Sequence, residues 1–88
     1  MLVDVIDVKA LSKSRLFLKF KDGTEGTIDL RKHIQFTGIF EKLKDESFFK
    51  KVEVSSELGT VRWPNGADLD PDVLYALVKG EPIPDLTE

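Results

Sequence analysis

Three aspartates at alternate positions, Asp68, Asp70 and Asp72, have the spacing with which a calcium-binding loop opens, since oxygen ligands set two residues apart can turn toward one hard cation. Such a loop also needs glycine at its sixth position and a bidentate glutamate at its twelfth. Counted from Asp68, those positions hold Val73 and Lys79, so the pattern predicts no metal site. Asp70 and Asp72 read instead as the cap and first turn of a helix. His33 is the only histidine and stands beside Arg31 and Lys32, a setting that reads as a solvated loop rather than the base of a hydrolytic triad. Cysteine is absent, which removes thiol nucleophiles, thiolate zinc sites and disulfides together. The glycines stand singly, as turn glycines do, and form no phosphate cradle. The expectation is a non-enzyme with no catalytic residues, no cofactor and no metal.

Two groups of residues suit binding better than catalysis. In Trp63-Pro64-Asn65-Gly66-Ala67-Asp68-Leu69-Asp70, a tryptophan enters a turn with an amide and carboxylates close by. Trp63, Asn65, Asp68 and Asp70 are therefore the candidate contacts for a partner or ligand. The same residues also make a good turn, with Trp63 filling the core and Asn65 and Asp68 bonding local backbone groups. The second group is Lys42, Lys44, Lys50 and Lys51, which flank Phe48 and Phe49 in the basic and aromatic interleaving of single-strand nucleic-acid sites. The competing reading buries the phenylalanines and leaves the lysines as a solvated face.

The elements that must position these residues are legible from periodicity and turn chemistry. Leu2 to Val8 reads as a strand whose alternation slips, with Val3 and Val5 on one face and Ile6 and Val8 on the other, which predicts a bulge or burial on both faces. Arg15 to Leu30 reads as a hairpin. A two-residue loop at Asp22-Gly23 would set Phe20 against Glu25 and mix core with solvent. A three-residue loop with Gly23 in the left-handed region pairs Phe20 with Thr24, Leu18 with Gly26 and Leu16 with Ile28. It also sets Lys19 against Glu25 and Arg15 against Asp29, two favourable charge pairs.

After Leu30 the apolar period lengthens, and Ile39, Phe40 and Leu43 share a helical face behind a turn at Gly38. Asp45 is placed to cap a short helix containing Phe48 and Phe49. Lys51 to Val54 and Thr60 to Trp63 read as a second hairpin, joined through Ser55, Ser56 and Gly59. A final helix is marked by Asp70 at its cap, Pro71 at its first position and Gly80 past its end. Its stripe of Val73, Leu74, Leu77 and Val78 is expected to lie on the sheet.

The pattern is that of an α+β chain, a small two-hairpin antiparallel sheet with short central helices and a C-terminal helix packed on it. At 88 residues a single domain over residues 1–80 is expected, with residues 81–88 a loosely ordered tail. Hydrophobic residues make up 41% and charged residues 33%, a globular composition. The longest apolar run, Val73 to Val78, is six residues, far short of the roughly 20 that span a bilayer. Asp4 and Asp7 interrupt the N-terminal apolar stretch, unlike a signal peptide. A soluble, cytoplasmic protein is expected. The net charge of −3 conceals an asymmetry, because residues 1–51 carry 11 Lys/Arg against 8 Asp/Glu, a net +3, and residues 52–88 carry 2 against 8, a net −6. That balance disfavours nucleic acid as a partner.

The run Trp63 to Tyr75, WPNGADLDPDVLY, preceded by Gly38-Ile39-Phe40, Leu43-Lys44-Asp45 and Phe49, resembles the bacterial family known as domain of unknown function 2442. The resemblance extends from Val3 to about Lys79, most specifically at Trp-Pro-Asn-Gly, while the early strands match in pattern only. It implies an α+β fold with two hairpins and a final helix. Some members carry a helix-turn-helix domain after this one, and others stand alone as one half of a two-protein operon with a suspected toxin–antitoxin relationship. The length here is closer to the second kind. The expected function is thus a protein-interaction module, antitoxin-like, bound to a small protein partner or to a second copy of itself. The alternative is a nucleic-acid-binding or ligand-sensing regulatory domain.

Overall fold

The computed structural model describes residues 3–80, so the expected C-terminal tail, 81–88, lies outside the described residues. Strand β1 (Val5–Leu11), β2 (Arg15–Phe20) and β3 (Glu25–Asp29) form an antiparallel meander in that order. Within β1, Val5 pairs with Phe20 and Asp7 with Lys19, which leaves Ile6 as the extra residue of a bulge. The slip in alternation is this bulge. It returns Val8 and Ala10 to the core side and turns Ile6 out, 49% exposed. The strand starts later than expected and runs on to Leu11, because pairing with Arg15 carries it beyond Val8.

The hairpin from β2 to β3 has the expected register. Leu16 faces Ile28 and Leu18 faces Gly26, Phe20 N–H donates to the Thr24 carbonyl at 2.8 Å, and Gly23 has φ 93°. The two charge pairs align in register but do not close. Among the described residues the ion pair within 4 Å is Arg62 to Glu53, at 3.1 Å. Arg15 instead donates to the Ser12 carbonyl at 3.0 Å, and the Asp29 carboxylate accepts from Arg31 N–H at 3.2 Å to start a 3-10 turn, Leu30–Lys32. Exposed partners gain little from each other in water, so local backbone groups win, a carbonyl for Arg15 and an N–H for Asp29.

One face of the sheet, with Leu16, Leu18, Phe20 and Ile28, is buried. Helix α2 (Pro71–Lys79) lies on it. Its closest approach is at Gly26, where an added Cβ would sit 3.0 Å from Val78 Cγ1. Tyr75 meets Phe20 edge-on at 5.0 Å, and the Tyr75 hydroxyl donates to Asp22 Oδ2 at 2.6 Å, tying the helix to the hairpin turn. The helix ends as its sequence requires. Asp70 Oδ1 accepts from Asp72 N–H at 2.9 Å, Pro71 opens the first turn, and Gly80 at φ 72° closes the last. Of the expected stripe, Leu74 is the buried member and Ala76 joins it.

Between the meander and α2 the chain is more irregular than its periodicity suggested. Gly38–Lys44 is a 3-10 helix, whose three-residue repeat stacks Phe40 over Leu43 and swings Ile39 off that face. Leu43 is buried, Phe40 half-buried, and Ile39 50% exposed. Asp45 ends this segment and caps α1 (Glu46–Phe49) by accepting from Ser47 N–H at 2.9 Å. Strands β4 (Glu53–Ser55) and β5 (Thr60–Arg62) form the second hairpin as a separate two-stranded sheet. It docks on β1 through Val5 N–H, which donates to the Gly59 carbonyl at 3.0 Å. Both strands are shorter than expected, because Trp63 leaves the ladder and turns inward.

Candidate functional site

Trp63 is 1% exposed. Its indole Nε1–H donates to the Phe49 carbonyl at 3.0 Å and its ring packs on that of Phe49 at 5.9 Å. The turn that follows is closed by Trp63 N–H to the Ala67 carbonyl at 2.9 Å, with Gly66 at φ 91°. Asn65 works in two directions: Nδ2 donates to the Ile39 carbonyl at 2.9 Å, and Oδ1 accepts from Ala67 N–H at 3.1 Å. These two residues bind the 3-10 helix, α1 and the turn into one body. Trp63 has no face left for a partner.

Past the turn, the chain runs beside β5, where Leu69 N–H donates to the Val61 carbonyl at 3.3 Å and Thr60 Oγ1 donates to the Leu69 carbonyl at 2.6 Å. This buries Leu69 and leaves Asp68 and Asp70 exposed on either side of it, because successive residues of an extended chain point to opposite faces. Both aspartates reach the rim of a groove of about 470 Å³. One wall is the segment 30–34 with Phe40, and the other is residues 68–70 with the flank of α2. Leu30, Ile34, Phe40, Leu69, Val73 and Leu77 supply its apolar lining. Val73 and Leu77, expected on the sheet, are half-buried here.

The rim is polar. Lys32 and His33 stand on the first wall, and Asp68 and Asp70 on the second. His33 is exposed, as its neighbours suggested, but the fold sets it at the same groove as two aspartates nearly forty residues away in sequence. The lining has no serine, threonine or cysteine, so it holds no hydroxyl or thiol nucleophile. Among the described residues no group of three or more His, Asp or Glu side chains is placed to hold a metal ion. An apolar lining with a few convergent polar groups is the arrangement of a binding site.

The lysine group is arranged differently. Phe49 is 2% exposed and Phe48 is half-buried with Lys42 Nζ 5.5 Å above its ring. Lys44, Lys50 and Lys51 are exposed, with Asp45 and Glu46 among them. No open pair of aromatic faces is presented on which bases could stack.

Among the described residues one carboxyl is perturbed, that of Asp22 beside Tyr75 in the middle of α2. The Tyr75 hydroxyl and, next, Thr24 N–H hold the Asp22 carboxyl below its ordinary value. Among the described residues no helix is long and apolar enough to cross a membrane.

No curated protein and no solved structure matches the chain. A family model described as "Protein of unknown function (DUF2442)" matches residues 5–80, taking in all three strands of the meander, the second hairpin, the tryptophan turn and α2. The chain belongs to the DUF2442 family.

Proposed function

We propose that the protein is a non-catalytic interaction module that holds a small protein partner, in the manner of an antitoxin, and that it does so through the groove beside α2. The observation that carries this reading is the groove itself, an apolar lining of about 470 Å³ whose Lys32, His33 and Asp68 side chains make no hydrogen bond or ion pair among the described residues. Polar groups left unengaged around apolar surface are what a partner would satisfy. The net −6 of residues 52–88, which include one wall, favours approach of a basic protein.

Val73→Glu tests the reading by putting a carboxylate into the lining. Tagged wild type, Val73→Glu and the Lys50→Glu/Lys51→Glu variant would each be used for nuclease-treated capture from native cells, after circular dichroism shows that all three are folded. One stoichiometric protein is expected with wild type and with the lysine variant, and is expected to be lost with Val73→Glu. A partner still held by folded Val73→Glu would rule out the groove. A partner lost only from the lysine variant would move the interface to the face around Phe48.

A further inference from the structure

The two walls of the groove carry opposite charge across a shared apolar lining. Lys32 and His33 stand on one side, Asp68 and Asp70 on the other. Asp70 is committed to capping α2 through Asp72 N–H. Lys32 and Asp68 lie beyond ion-pair distance of each other and of every other charged group among the described residues, so the rim keeps its polarity from wall to wall. A uniformly basic or uniformly acidic occupant would meet like charge on one wall, which is costly. An occupant that is only apolar would leave both charges unanswered.

Resting on the protein-interaction reading above, we infer that the groove takes a polypeptide segment in which one large aliphatic or aromatic side chain is flanked by an acidic residue and a basic residue. The apolar side chain enters between Phe40, Val73 and Leu77. The acidic neighbour meets Lys32, and the basic neighbour meets Asp68. A volume of about 470 Å³ lies in the lower part of the roughly 300–1,000 Å³ range of ligand pockets, which suits one anchoring side chain and its flanks rather than a whole helix face. The charges contribute mainly orientation, since exposed ion pairs add little affinity but discriminate between registers.

Two acetylated and amidated peptides of the same composition, Glu-Ala-Leu-Ala-Lys and Lys-Ala-Leu-Ala-Glu, test this by NMR titration of the full chain. Shifts are expected at the methyl groups of Leu69, Val73 and Leu77. One order of residues should bind roughly two- to tenfold more tightly than the other, the size given by one or two exposed pairs. The charge-swapped variant Lys32→Asp/Asp68→Lys is expected to fold, since both positions are exposed, and once circular dichroism shows that it does, the preference should invert. Equal affinity of the two peptides, or an unchanged preference in the swapped variant, overturns the inference. So does tighter binding of free leucine than of either peptide, which would make the groove a small-molecule site. If the peptides fail while partner capture is still lost in Val73→Glu, the inference falls and the interaction reading stands; if capture ignores Val73→Glu, the reading itself falls.

Discussion

Trp63→Phe separates a structural tryptophan from a contact residue. The replacement removes the smaller ring of the indole from a site that is 1% exposed and deletes the Nε1–H bond to the Phe49 carbonyl. Large-to-small changes in a packed core cost the transfer of the lost atoms plus the cavity left behind, about 1–2 kcal/mol for a change smaller than truncation to alanine. The orphaned carbonyl adds less than the full penalty, because Val52 N–H also donates to it, at 3.3 Å. About 1 kcal/mol is the expected share. The sum, about 2–3 kcal/mol, is a large fraction of the stability of a small domain and still leaves it folded. Urea unfolding followed by circular dichroism reads it, since the variant loses the single tryptophan that fluorescence would use. A lower midpoint with an unchanged slope is expected, together with partner binding that survives once the folded fraction is accounted for. A change under about 0.5 kcal/mol would contradict the packing and hydrogen bond described here. Loss of binding by a fully folded variant would make Trp63 a contact and refute its structural role.

Two further outcomes follow from close contacts. Gly59 has φ 68° and an added Cβ there would collide with the Asp4 carboxylate, whereas at Gly80, φ 72°, it would meet nothing within 4 Å among the described residues. Gly80→Ala should cost about 1 kcal/mol, the left-handed penalty alone, and Gly59→Ala about 2 kcal/mol or more; a thermal melt that ranks them equally, or an Asp4→Ala background that fails to recover the excess, would contradict this. Tyr75→Phe removes the leading cause of the lowered Asp22 pKa, so an NMR titration should find the Asp22 carboxyl closer to its ordinary value. With a native pKa below the unfolded one, the stabilisation is present above the unfolded carboxylate range and is lost as pH falls through the lowered native value. The wild type and Tyr75→Phe should therefore differ at neutral pH and converge in acid, and a difference that grows toward low pH would reverse the sign.

Most of the local structure could be read from residue types, because each feature has a nearby cause. The three-residue turn at Gly23, the caps at Asp45 and Asp70 and the stop at Gly80 all depend on a few consecutive residues whose backbone preferences leave little choice. The slipped alternation of β1 left a bulge and burial on both faces open, and pairing with β2 made it a bulge at Ile6. The places where the reading missed depend on distant neighbours. Ile39 fell off the expected face because the segment wound as a 3-10 helix, a choice made by the Asn65 bond to its carbonyl and by Leu43 entering the core, neither of which periodicity contains. Lys19 and Glu25 align but remain apart, because register places side chains opposite one another without obliging exposed charges to close.

The candidate site shows the same division. Composition and spacing singled out Trp63, Asn65, Asp68 and Asp70 as a group, and in sequence they are one. The fold divides them, since Trp63 turns inward and Asn65 binds the Ile39 carbonyl, while Asp68 and Asp70 reach the groove. The opposite wall, with Lys32, His33, Ile34 and Phe40, carried no local signal that it belonged there. Its residues meet α2 only because the meander and the final helix pack on one core, and long-range packing rather than local preference decides which surfaces face each other. The amino-acid sequence by itself determined the turns, the caps, the strand register and the acidic character of the C-terminal third, because these rest on neighbours in the chain. Only the tertiary structure decided that Asp68 stands unengaged at a groove and what stands across from it.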